Sequence, residues 1–121
     1  AAEEALPHME RYVRERPEDP FSHMGYGLTL AALGRYDEAV REGELGMEIL
    51  PLEKDGIYAP FLIWWMGTIY MMVGDSDAAL DQMEVLLSIP STHSVATMEG
   101  SPLLDKVRDL PRYQQLIEKY R

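Results

Sequence analysis

Apolar and charged positions fall into blocks along this chain. From Gly56 to Gly74 nineteen residues carry no charge, among them FLIWWMGTIYMMVG, whereas the segments on either side place charges every few positions. Sliding the chain on itself by 40 residues lays 20–51 over 60–91 with eight identities: Pro20/Pro60, Phe21/Phe61, Gly27/Gly67, Gly34/Gly74, Asp37/Asp77, Ala39/Ala79, Glu44/Glu84 and Ile49/Ile89. Leu33/Val73, Val40/Leu80 and Met47/Leu87 are conservative pairs in the same register. Each copy therefore reads as two helices joined by a tight turn. Pro20 and Pro60 suit a first helical turn, where a missing N–H costs nothing. Gly34 and Gly74 stand where a helix must stop in a left-handed conformation. Asp37 and Asp77 fall in the first turn of the second helix, where a negative charge complements the dipole. Those second helices are expected over 36–50 and 76–87, each ended near a proline, Pro51 or Pro90.

Gly27, Leu30, Gly34, Tyr36, Ala39 and Pro51 in the first copy, with Gly67, Tyr70, Gly74 and Ala79 in the second, resemble the tetratricopeptide repeat family, most specifically in LGRYDEAV, Leu33 to Val40. The chain departs from the family pattern at His23, where a large aromatic is usual, and at Gly43 and Gly46, which are expected to loosen the second helix of the first copy. The family period is about 34 residues, so a spacing of 40 implies a longer connection, LEKDGIYA. Ala5, Met9, Tyr12 and Pro17 match the second helix of a preceding repeat, so 1–17 is expected to be half a repeat whose first helix is missing. STHSVATMEGS reads as a loop or short turn. Pro102 and Pro111 divide 102–121 into two short helices with apolar faces from Leu103, Leu104, Val107, Leu110, Leu116 and Ile117. This tail is similar to segments that close repeat arrays in bacterial multidomain signalling and regulatory proteins, and it suggests the C-terminus of a larger chain.

The uncharged run reaches the length of a membrane span, about 20 residues. Pro60 and Gly67 interrupt it, flanking Lys/Arg anchors are missing, and its register partner, 21–34, contains His23; membrane insertion is not expected. As the first helix of a repeat it has two jobs. The resemblance places Phe61, Trp64, Thr68, Met71 and Met72 on a concave groove, continued by Phe21, Met24, Leu28 and Ala32 from the first copy, with Ile63, Met66 and Tyr70 turned toward the second helices. Trp65 is ambiguous. A helix apolar all round is buried all round, and three covers are open: the chain's own tail or upstream repeats, a partner peptide suited to an adaptable Met-rich surface, or a second copy.

Charge narrows the partner. Eleven Lys+Arg against 21 Asp+Glu give a formal −10, with 46% hydrophobic and 26% charged residues, a globular composition that repels phosphate backbones and anionic lipid. No Lys or Arg lies between Lys54 and Lys106, while the tail carries Lys106, Arg108, Arg112, Lys119 and Arg121 and is positioned to pair with the acidic body. A partner is expected to be apolar or basic, and nucleic acid is not expected. With no cysteine there is no disulfide, thiolate nucleophile or zinc-thiolate site. AAEEALPHMERYV lacks the pattern of a signal peptide, and the expected compartment is the cytoplasm.

Candidate chemistry is sparse. His8, His23 and His93 are scattered and read as surface or packing residues, without a second ligand at metal spacing. GDSDAA fits helix capping by Asp75 or Ser76 better than a calcium loop. STHS sets hydroxyls beside His93 without a positioned acid. No phosphate loop, metal site, cofactor site or catalytic set is read from the chain. The expectation is an all-α antiparallel helix-pair solenoid in one domain: 1–17 as a lone second helix, repeats over 20–51 and 60–91, and capping helices over 102–121. Its function is expected to be protein or peptide binding through Phe21, Met24, Leu28, Phe61, Trp64, Thr68, Met71 and Met72, without catalysis. The alternative is a dimerisation or end-capping element with no outside ligand.

Overall fold

The computed structural model describes residues 1–89 and 93–121. Pro90, expected to close the second copy, and Ser91 and Thr92 of STHS lie outside the described residues. Seven α-helices and one 3-10 turn make up the ordered elements among the described residues, with no strand: α1 Ala2–Glu15, α2 Pro20–Ala32, α3 Tyr36–Ile49, α4 Ala59–Val73, α5 Ser76–Leu87, α6 Val95–Glu99, the 3-10 turn Pro102–Leu104, and α7 Pro111–Tyr120. The protein is all-α, and no helix among the described residues is long and apolar enough to cross a membrane.

Local chemistry sets the boundaries. Asp19 caps α2 by accepting from the Phe21 amide at 2.9 Å, with Pro20 in the first turn. Gly34 (φ +81°) and Gly74 (φ +90°) take the left-handed conformation that stops α2 and α4. The next amides, Arg35 and Asp75, return to Leu30 O at 3.0 Å and Tyr70 O at 2.9 Å. Asp75 then caps α5 through the Ala78 amide at 3.1 Å. Only residues 33–35 and 74–75 separate the paired helices, so α2 folds back on α3 and α4 on α5. α1 packs on α2, and α4 lies against both α2 and α3.

Two apolar clusters flank α4, and it contributes to both. Leu62, Met66 and Ile69 join Met24, Leu30, Ala31 and Ala39 on one side. Ile63 and Met71 join α5, Met98, Leu104, Val107 and the α7 residues Tyr113, Leu116 and Ile117 on the other. Most of α4 thus lies in the middle of the protein, which is why it lacks a polar face, although Phe61 and Trp65 stay exposed.

Gly43 and Gly46 have a different role from the loosening expected of them. A Cβ at Gly43 would lie 2.5 Å from Met66 Sδ, and one at Gly46 would lie 2.8 Å from the Pro20 carbonyl oxygen. The two glycines let α3 approach α4 and the start of α2. The tail also differs from expectation. The stretch read as a loop contains α6, capped by Ser94 accepting from the Thr97 amide at 3.3 Å, and the first of the two expected tail helices is reduced to a 3-10 turn. Leu104, Val107, Leu116 and Ile117 are buried as an apolar face requires, while Leu103 and Leu110 are exposed.

Candidate functional site: the aromatic face of α2 and α4

α2 and α4 are adjacent first helices of the two pairs, and the structure distributes their eight named residues among three environments. Met24, Thr68 and Met71 are buried. Met24 belongs to the α2–α4 cluster and Met71 to the cluster with the tail, while the Thr68 hydroxyl donates to Trp64 O at 3.1 Å within its own helix. Leu28 and Met72 are half-buried against the α2–α4 cluster. Phe21 and Phe61 keep 44% and 39% of their surface exposed. Trp65, ambiguous in the sequence, is 39% exposed.

Trp64 is half-buried, and its cover comes from the chain itself. The His93 ring stacks on the Trp64 indole with centroids 4.7 Å apart and planes 21° apart, and meets Phe61 edge-on at 6.2 Å and 76°. Burial holds the His93 pKa below its ordinary value, which favours the neutral ring. Leu104 shares a small hollow with Trp64, Thr68 and Met71. The tail therefore covers one part of the apolar surface of α4, while Phe61 and Trp65 remain exposed on α4, as Phe21 does on α2. The sequence leaves the chain's own tail open as a cover and assigns Leu104 to its apolar face, but it reads His93 as incidental, because that residue follows the end of the repeat register.

His23 proves to be a tie between elements. Its Nδ1 is 2.7 Å from Glu42 Oε2 on α3 and its Nε2 is 2.6 Å from the Pro17 carbonyl oxygen between α1 and α2. Two acceptors call for two N–H donors, hence the imidazolium. Burial opposes that charge, but the hydrogen bonds to Glu42 and Pro17 outweigh it and raise the His23 pKa. No group of three His, Asp or Glu residues among the described residues is placed to hold a metal ion.

The tail's cations meet the acids of α5. Arg112 donates to Asp77 O at 3.0 Å and to the Asp81 carboxylate, and lies 4.0 Å from Glu84; Lys119 reaches Glu84 at 3.3 Å. Arg108 ties the tail to itself, donating to Asp105 at 2.9 Å, to the Tyr113 hydroxyl at 3.3 Å and to the Ser101 carbonyl. The basic tail and the acidic body are paired, as the charge distribution in the sequence anticipates.

No protein-family model, curated protein or solved structure matches the chain. The surface offers exposed aromatic rings on two helices packed against each other.

Proposed function

We propose that the chain is a non-catalytic interaction module of the tetratricopeptide type, a stack of helix pairs whose α2–α4 face takes an apolar segment of another protein. The carrying observation is that Phe21 and Phe61, identical residues in one repeat register, both stay exposed on adjacent first helices. Packed helices lie about 8–10 Å apart, and in a polyproline-II segment, with three residues per turn, side chains three residues apart share one face at a separation of about 9 Å. An extended peptide can therefore set one apolar side chain on each phenyl ring. Trp65 widens the platform, and Trp64 supports it from beneath His93. The absence of any Lys or Arg between Lys54 and Lys106 favours an apolar or basic peptide over an acidic one.

Peptides selected on the whole chain from a random display library test this reading. Phe21→Ala and Phe61→Ala are each expected to weaken a selected peptide at least about tenfold, with helicity by circular dichroism unchanged. Wild-type affinity in both variants would exclude this face. The alternative, self-association, is favoured by α1, which has no fully buried residue and leaves Tyr12 37% exposed. A concentration-dependent dimer in light scattering that is dispersed by Tyr12→Glu would establish it.

A further inference from the structure

The second helix pair lacks the tie that closes the first. Forty residues after His23 and Glu42, the same register holds Ile63 and Gln82, which cannot form an ion pair. They line a hollow of about 250 Å³ between the end of α3, the connector 51–58, the start of α4, and α5. Met47, Leu52 and Val85 supply further apolar wall, and Glu53 stands beside it. The volume is below the roughly 300–1,000 Å³ usual for small-molecule sites and suits a single large side chain. The long connector implied by the 40-residue spacing is one wall of this hollow.

Its surroundings are acidic and unneutralised. Glu44 and Glu48 line an adjoining shallow hollow that shares Met47 and Pro51 with the first. Among the described residues, none of Glu44, Glu48 and Glu53 has a Lys or Arg within ion-pair distance. Glu44 receives the Tyr70 hydroxyl at 3.4 Å, and Lys54 is the sole cation of the connector. The register partner of Glu44 shows what such a face accepts. Glu84 is approached by Arg112 and Lys119 of α7, which seats Leu116 and Ile117 in the core. The chain's own solution is thus an apolar anchor flanked by Arg and Lys.

We infer that the hollow between α3, the connector and α4 is a socket for one large apolar side chain of a partner protein segment that carries Lys or Arg on either side of that anchor. It is separate from the aromatic face proposed above and does not depend on it.

The probe is a fluorescein-labelled peptide, Lys-Arg-Leu-Phe-Lys-Arg, titrated with the whole chain and followed by anisotropy. Saturable binding is expected, weakened at least about tenfold by Leu52→Trp, which fills the socket from the connector. Where Leu52→Trp loses helicity, Val85→Phe serves the same purpose from α5. The pair Glu48→Gln and Glu53→Gln is expected to weaken binding and to flatten its salt dependence. Phe21→Ala and Phe61→Ala are expected to leave it unchanged. The inference is overturned if no saturable binding occurs, or if the peptide with Gly-Gly in place of Leu-Phe binds as well, which would show charge attraction alone. It is equally overturned if filling the socket leaves affinity intact, or if Phe61→Ala abolishes binding, which would assign the peptide to the aromatic face.

Discussion

A methyl group added at Gly27 would lie 3.0 Å from the Ala39 carbonyl oxygen, 3.1 Å from Ile69 Cδ1 and 3.2 Å from the Gly43 nitrogen. At Gly67, its register partner, the nearest atom is Gln82 Cβ at 3.5 Å, an ordinary contact. The same substitution should therefore act in opposite directions. Gly67→Ala is expected to raise stability by about 0.5–1 kcal/mol, since alanine suits a helix interior better than glycine. Gly27→Ala gains the same propensity but pushes α2 away from α3, and overpacking of about 1–3 kcal/mol leaves it less stable than wild type. Chemical denaturation of the two variants checks the pair. The sequence pairs Gly27 with Gly67 by register without distinguishing them, and it reads Gly43 and Gly46 only as residues that loosen α3. Both have one cause: the space at a glycine is set by what faces it from other helices, Ile69 at Gly27, Met66 at Gly43 and the Pro20 carbonyl at Gly46, which intrinsic propensity does not register.

Among the elements, α7 reaches the rest of the fold mainly through α5, seating Tyr113, Leu116 and Ile117 in the core and adding charge pairs at the surface. Arg112 spans Asp77, Asp81 and Glu84, and Lys119 shares Glu84. Single exposed ion pairs contribute about 0–1 kcal/mol, so Arg112→Ala should be mild. Arg112→Glu sets a fourth acid against three and is expected to loosen 111–120 while leaving the α2–α3 pair intact. Amide exchange checks it: faster exchange should appear in α7 without a matching change in α2 and α3. The helix pairs were legible in the sequence because proline, left-handed glycine and a first-turn aspartate recur 40 residues apart, and α3 and α5 begin at the residues those signals indicate. The tail was less legible. α6 is only five residues long, too short for an apolar period to establish itself, and it is held by Met98 entering a core that the other elements build.

For the whole molecule, the two half-hidden imidazoles set opposing dependences on pH. His23 has a raised pKa in the fold, so its contribution is complete below the ordinary histidine value of about 6.5 and is lost as the pH rises through the raised value. His93 has a lowered pKa, so its contribution is present above that ordinary value and is lost as the pH falls through the lowered one. Thermal midpoints across a pH series should show His23→Gln most damaging on the acid side, with the deficit shrinking as the pH rises. His93→Phe keeps an aromatic ring on Trp64 and should reduce the loss on the acid side. A deficit in His23→Gln that stays constant with pH would show that Glu42 and Pro17 do not hold a proton on this ring. Neither role was visible in the sequence, where three separate histidines read as incidental. Pro17 lies six residues from His23 and Glu42 nineteen; the turn before α2 brings the first acceptor to the ring, and the folding back of α3 on α2 brings the second. The candidate surface was partly legible for a related reason. Register identifies which residues line α2 and α4, but Met71 and Trp64 are covered by Leu104 and His93, which lie outside the register.

The helix α1 has no fully buried residue, and its packing is on α2, with Leu6 resting on the edge of the core and Met9 beside Gly25. Little apolar surface is re-exposed when it separates, so its opening free energy falls at the low end of the range found within a single fold. Pulled from its N-terminal side, α1 would peel away as a separate early step, before the load reached the α2–α3 pair.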